Sequence, residues 1–261
     1  MMENDPSLRV LIACHKPYKL PDSACYMPVE PGASLYAEHI PGCTPDDTGE
    51  NISAKNPNYC ELTALYWAWK NIDAGYLGLV HYRRYFASGP LHRRIAEESD
   101  YREALSKAPV ILPKKRHYWI ETNYTQYIHA HHEQDLTVTS EVIEQQCPDY
   151  LSAYDSQMGR RSGHRFNMFV MRSDLLDDYC RWLFSVLFEL ESRLDISDYD
   201  EYNKRVFGFV AERLLDVWLE KNCVPYIEMP LIFTEKQHWL RKGTHFIMRK
   251  AGYALREKNG K

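Results

Sequence analysis

Four short apolar runs, spaced by stretches of helical periodicity, constrain this chain most. They are Arg9 to Cys14 (RVLIAC), Tyr76 to Val80 (YLGLV), Ala108 to Leu112 (APVIL) and Phe166 to Met171 (FNMFVM). Runs of this length without polar alternation read as strands buried on both faces. The pattern predicts helices from Asn58 to about Asn71, from Leu175 to Leu190 and from Val206 to Glu220. In the first, Asn58-Tyr59-Cys60-Glu61 reads as a capping box, and Tyr59, Leu62, Tyr66 and Trp69 form a stripe at helical spacing. Asp73-Ala74-Gly75 supplies its stop, and Ser173 reads as the cap of the second helix. Strands alternating with helices predict an α/β fold with a mostly parallel central sheet flanked by helices.

Composition narrows the function classes. With 261 residues, 44% of them hydrophobic, the chain can bury a sizeable core, and one domain over residues 1–235 is expected, followed by a basic tail over 236–261. Against 36 Asp and Glu stand 32 Lys and Arg, a net charge of −4 that lacks the basic excess of a nucleic-acid binder. The seven cysteines are scattered without a CxxC pair, which points to a reducing compartment. The first residues carry neither a basic nor an apolar leader region, and no apolar stretch reaches membrane-spanning length, so a cytoplasmic protein is expected. The long segment from Tyr18 to Ser53, rich in Pro, Gly, Asp and Asn, reads as a ligand-binding loop.

His81-Tyr82-Arg83-Arg84-Tyr85-Phe86 follows the YLGLV strand, at the carboxyl edge where open α/β sheets bind ligands. Two adjacent arginines there offer planar, always-charged donors to a phosphate or carboxylate. Against this, neighbours on a strand point to opposite faces, and one arginine could serve only to pair with a surface acid. His15 and Lys16 follow the first strand in the position of a nucleotide loop, although neither a GxGxxG nor a Walker sequence is present. His129, His131, His132 and Asp135 match no strong zinc spacing, and no GxSxG elbow exists for a serine hydrolase. Glu212 stands at an apolar helix start, where it reads either as a general base or as an ion-pair partner of Arg205 or Arg213.

NPNYCELTALYWAWKN, YLGLVHYRRYF, HRFNMFVMRSDLLDDYC and RVFGFVAERLL, in this order, resemble the glycosyltransferase family of bacterial capsule, exopolysaccharide and O-antigen biosynthesis. The resemblance runs from about Arg9 to Phe233, and the HYRRYF signature carries most of it. It implies a single GT-A-like, Rossmann-like domain that transfers a sugar from a nucleotide-diphosphate donor to a polysaccharide or lipid-linked acceptor. UDP-sugars are favoured as donors, and some relatives are galactofuranosyltransferases. It places donor contacts at His15, Lys16, Tyr18, Asn51, Lys70, His81, Arg83 and Arg84, and acceptor or sugar contacts at Tyr118, Trp119, His131, His132 and Asn167. Glu212 is the expected base, with Asp135 next in line. His81 to Arg84 occupy the place of a DxD motif but bring no carboxylate, so no metal is required on this reading. Mn²⁺ or Mg²⁺, with His81 as a ligand beside Asp46 or Asp47, is the alternative.

Two other functions compete. A non-catalytic carbohydrate or nucleotide binder would use Tyr118, Trp119, Tyr124 and Tyr127 as stacking platforms. A nucleotidyl- or phosphotransferase would use the same arginines and release a different product. Residues 236–261 hold eight Lys or Arg interleaved with aromatic and aliphatic side chains, which suits either a peripheral membrane contact or an ordinary solvated end.

Overall fold

A computed structural model describes residues 7–235. The RVLIAC and YLGLV runs become β1 (Leu8–Ala13) and β4 (Tyr76–His81), which pair in parallel, Leu8 opposite Tyr76 through Ala13 opposite His81. Between them lie α1 (Asn56–Tyr59) and α2 (Leu62–Asn71), the crossover that a parallel pair requires. APVIL forms β7 (Val110–Pro113), and the FNMFVM run yields β10 (Phe169–Arg172). The strand β10 runs antiparallel to both β4 and β7, so the mostly parallel sheet carries a reversed strand near its middle. Gly78 of β4 permits the contact: a Cβ there would lie 2.7 Å from Val170 Cγ2.

The segment expected as one loop, Tyr18 to Ser53, contains β2 (Tyr26–Glu30) and β3 (Thr44–Pro45), which extend the sheet in parallel beyond β1. Prolines hid them. Pro28 lies within β2 but at a level where β3 does not pair, so its missing N–H interrupts no ladder on that side. On the other flank, β11 (Ile227–Met229) pairs with β7, giving the order β11-β7-β10-β4-β1-β2-β3. A side ribbon of β5 (Arg84–Ser88), β6 (Arg94–Ile95) and β12 (Leu231–Phe233) joins the sheet through His81 opposite Arg84.

Alternating strand residues feed two cores. Leu11, Ala13, Leu77, Leu79, Phe169 and Met171 pack with α2, α5 (Glu133–Gln146), α7 (Ser173–Arg193) and α8 (Val206–Lys221) on one face. Val10, Ile12, Val80, Ile111 and Val170 pack on the other with Tyr85, Phe86 and the helix α3 (Glu98–Leu105). Burial on both faces is why these strands read as continuous apolar runs. The short helices α4 (Asn123–Ile128) and α6 (Leu151–Gly159) and the ribbon β8 (Arg116–His117) with β9 (Ser162–Gly163) complete the described chain. No helix among the described residues is long and apolar enough to cross a membrane. The basic segment 236–261 lies outside them.

Three local expectations are corrected. The capping box is absent: Cys60 adopts φ 54 and breaks the helix, while Asn58 Nδ2 donates to the Lys204 carbonyl at 2.8 Å. Ser173 is the first residue of α7 and not its cap, its hydroxyl bonding the Ala74 carbonyl. Phe166 and Asn167 precede β10 with φ 80 and 51, so neither belongs to a strand.

Candidate active site

The carboxyl edge of β1 and β4 gathers two histidines and two arginines. His15 leaves β1 with its ring 5.9 Å from that of His81, at the end of β4. The tight turn from β4 into β5 then sets Arg83 and Arg84 beside them. His81 Nδ1 accepts the Arg83 backbone N–H at 3.3 Å, which leaves the proton of a neutral ring on Nε2. Burial, followed by the charges of Arg84, His15, Arg83 and Arg205, holds the His81 imidazole down to about 2. His15 is lowered as well, by desolvation and then by Arg205 and Arg83. The Arg84 guanidinium is lowered by burial and by Arg83, lies 4.3 Å from the Phe166 ring, and makes no hydrogen bond or ion pair among the described residues. Arg83 approaches Glu235 at 3.6 Å, and its buried Nε has no partner there. Groups that depress one another in this way are poised for an anion.

A cleft of about 340 Å³ opens from this edge. Arg84 lies on its wall together with Glu212 of α8, Arg116 and Tyr118 at the β8 ribbon, His131 after α4, and Phe166, Tyr202 and Phe209. Glu212 is one-fifth exposed and pairs with the buried Arg213 at 3.2 Å. Arg213 is also held by the Phe209 carbonyl and Gln126. Of the two ion-pair partners considered for Glu212, the structure shows Arg213; Arg205 instead donates to Cys60 Sγ at 3.1 Å. Arg165 is locked by Tyr118, Asn123 and the His164 carbonyl and so shapes the cleft wall.

Glu61, expected as half of a capping box, instead lies close enough to Glu212 and Arg84 to interact with both. Burial raises its carboxyl, and Asn167 Nδ2 donates to it at 2.8 Å and to the Gly208 carbonyl at 3.1 Å. Glu212 raises Glu61 further, which places the two carboxyls in one electrostatic neighbourhood. The left-handed backbone at Cys60, Phe166 and Asn167 converges here, and α8 approaches so closely that a Cβ on Gly208 would lie 3.3 Å from Cys60 Sγ. Such strain persists only where surrounding structure imposes it. The buried Asn167 Oδ1 has no partner among the described residues.

The structure brings His15, His81, Arg83 and Arg84 together and sets Lys16 and Tyr18 at their margin. Lys16 lies 3.7 Å from Glu235, and the Tyr18 hydroxyl bonds Thr234 beside the Tyr82 ring. Tyr118 and His131 line the cleft, His131 packed between Tyr202 and Phe209. Other expected contacts lie apart from it. Asn51 bonds within its own turn, to Asp47, Gly49 and Ser53. Lys70 sits near the end of α2 away from His81, paired with Glu50 and over Trp69. Trp119 faces solvent and His132 stacks on Tyr199. Asp135 is buried and raised by desolvation, with each oxygen taken by a tyrosine hydroxyl, Tyr127 and Tyr199 at 2.7 Å. Asp46, an alternative metal ligand, is buried under the Gly32 and Ala33 amides and the Ser53 hydroxyl. No group of three or more His, Cys, Asp or Glu suited to a metal ion occurs among the described residues.

Residues 9–223 match the model of a family described as a domain of unknown function, DUF4422. Among solved structures, the chain is similar to the apo structure of the WbbM bifunctional glycosyltransferase, with 31% identity and a TM-score of 0.82. The alignment covers 88% of this chain and 46% of that one, so the chain spans about half the length of its structural neighbour. No curated protein matches it.

Proposed function

The chain belongs to the DUF4422 family, and from that premise we propose that it is a glycosyltransferase using a nucleotide-diphosphate sugar. The observation that carries this reading is one cleft with Arg84 on its wall, next to His15, His81 and Arg83, and with the carboxylate of Glu212 on the same wall system. Sugar transfer needs those two elements: cations for the departing diphosphate and a base for the acceptor hydroxyl. Similarity to a bifunctional glycosyltransferase supports the reaction class.

In the proposed inverting displacement, Glu212 takes the proton of an acceptor hydroxyl as its oxygen bonds to the anomeric carbon. The bond from that carbon to the β-phosphate oxygen breaks, and the nucleoside diphosphate leaves with the electron pair. Arg83, Arg84 and the Nε2–H of His81 neutralise the developing charge. Because Arg83 and Arg84 bring positive charge to the edge and Asp46 is already engaged, the donor set suits an anion better than a divalent metal. Tyr118, His131, Phe166 and Phe209 line the part of the cleft that we assign to the acceptor sugar. UDP is the favoured donor base, and galactofuranose with a lipid-linked or polysaccharide acceptor is the specific substrate pair we propose.

Thermal stabilisation by UDP-, GDP-, dTDP- and CMP-sugars, followed by assay of nucleoside diphosphate release onto glycan acceptors, tests this. Stabilisation by one base class together with transfer supports it. Stabilisation without transfer or donor hydrolysis would favour a non-catalytic binder, and release of pyrophosphate would favour nucleotidyl transfer.

A further inference from the structure

The ribbon of β8 and β9 carries a tip that the cleft chemistry does not use. Tyr118 N–H donates to the Arg161 carbonyl at 2.8 Å, and the chain then turns outward at Trp119 and Ile120, which are 82% and 63% exposed. Trp119 adopts φ 59, a costly conformation for a bulky side chain, and the turn is fixed by Ile120 N–H to the Tyr118 carbonyl at 2.6 Å. The backbone therefore presents an indole and an aliphatic side chain to the outside. Arg161 Nη1 donates to the Trp119 carbonyl at 3.4 Å, Arg116 lies over the Tyr118 ring, and Lys114 and Lys115 precede the ribbon in sequence, Lys115 bonding the Tyr226 hydroxyl; none of the four forms an ion pair among the described residues. Adjacent acids are engaged: Glu121 is buried against His129, and Glu220 pairs with Arg160.

We propose that this tip docks on an anionic phospholipid bilayer. Indole and aliphatic side chains favour the headgroup boundary, and flanking cations add attraction to anionic lipid. Two side chains at a protruding turn are too small for the core of a stable protein interface, which needs about 1,000 Å². The other adjacent exposed apolar pair, Leu35 and Tyr36, is followed by Glu38 and has no Lys or Arg between residues 33 and 40, so it lacks this complementarity. Arg116 belongs both to the flank and to the cleft wall, so docking sets the cleft mouth against the headgroups. The benefit to a lipid-borne acceptor rests on the transferase reading; the binding itself does not.

The test uses the full chain with vesicles of phosphatidylcholine, alone or with about 30% phosphatidylglycerol. Binding is expected only with the anionic lipid and is expected to weaken with salt. Trp119→Ser with Ile120→Ser, and separately Lys114→Ala with Lys115→Ala, are each expected to weaken it about tenfold with unchanged melting temperatures. Bromine-labelled lipid should quench tryptophan fluorescence in the parent and much less in Trp119→Phe. Unchanged binding by the Trp119→Ser, Ile120→Ser variant would overturn the proposal, moving any contact to other residues, 236–261 among them. Loss of a concentration-dependent dimer on the same substitutions, without lipid binding by the parent, would overturn it in favour of a second copy.

Discussion

Glu212→Gln keeps the side chain's volume and its place beside Arg213, which retains the Phe209 carbonyl and Gln126 as partners. Folding and UDP affinity are therefore expected to hold while single-turnover transfer falls about 10²–10⁴-fold, the worth of a positioned general base. A purely structural ion pair would give the reverse, a lower melting temperature with normal turnover per folded molecule. His81 yields a second expectation. Its folded value is depressed from 6.5 to about 2, so the unfolded chain binds more protons below 6.5, and this group's contribution to stability falls as pH drops through that value. Melting temperatures of the parent and His81→Gln, compared from about pH 7.5 to 5.5, should converge as pH falls. A bound diphosphate reverses the local field and raises His15 and His81, so UDP binding is expected to take up protons and tighten toward lower pH. Calorimetry in two buffers of different ionisation enthalpy measures that uptake, and its absence would show that both rings stay neutral beside the diphosphate, as the Nε2–H role of His81 allows.

At the scale of elements, the runs that were legible as strands are those buried on both faces: β1, β4 and β7 stand within two residues of where their apolar stretches lie. The direction of β10 was not legible, because an apolar run has the same pattern in either orientation. Its packing makes a sharp expectation. Gly78→Ala would set a Cβ 2.7 Å from Val170 Cγ2 and press β4 and β10 apart, costing about 1–3 kcal/mol in urea unfolding, as overpacking usually does. An unchanged midpoint would show that the two strands can separate freely. Turn-forming residues misled in two places. Pro28 disguised β2, and Asn58 with Glu61 imitated a cap where Cys60 in fact turns the chain to aim Glu61 at Asn167. The helices α3, α4, α5 and α6 give weaker sequence signals because they are shorter and bury fewer apolar side chains than α7 and α8.

For the molecule as a whole, topology explains what sequence could and could not reveal about the site. His81 to Arg84 are contiguous and follow a recognisable strand, so their place at the sheet edge was legible. Arg205, Phe166 and Glu61 approach them only because β1, β4, β10 and the start of α8 converge, and no local pattern announces a meeting between segments so far apart in sequence. Lys70, which the resemblance groups with the donor contacts, instead stands near the end of α2 with Glu50, and Asn51 is taken up by its own turn. In the proposed reaction this arginine-bearing edge holds a nucleoside diphosphate without a metal. Titration of the metal-stripped chain with UDP in EDTA tests it most directly. Binding is expected that Mn²⁺ or Mg²⁺ does not improve and that Arg84→Ala weakens about tenfold or more, the worth of a charge-assisted hydrogen bond. Binding that appears only when Mn²⁺ or Mg²⁺ is restored, or that survives unchanged in both Arg83→Ala and Arg84→Ala, would contradict it.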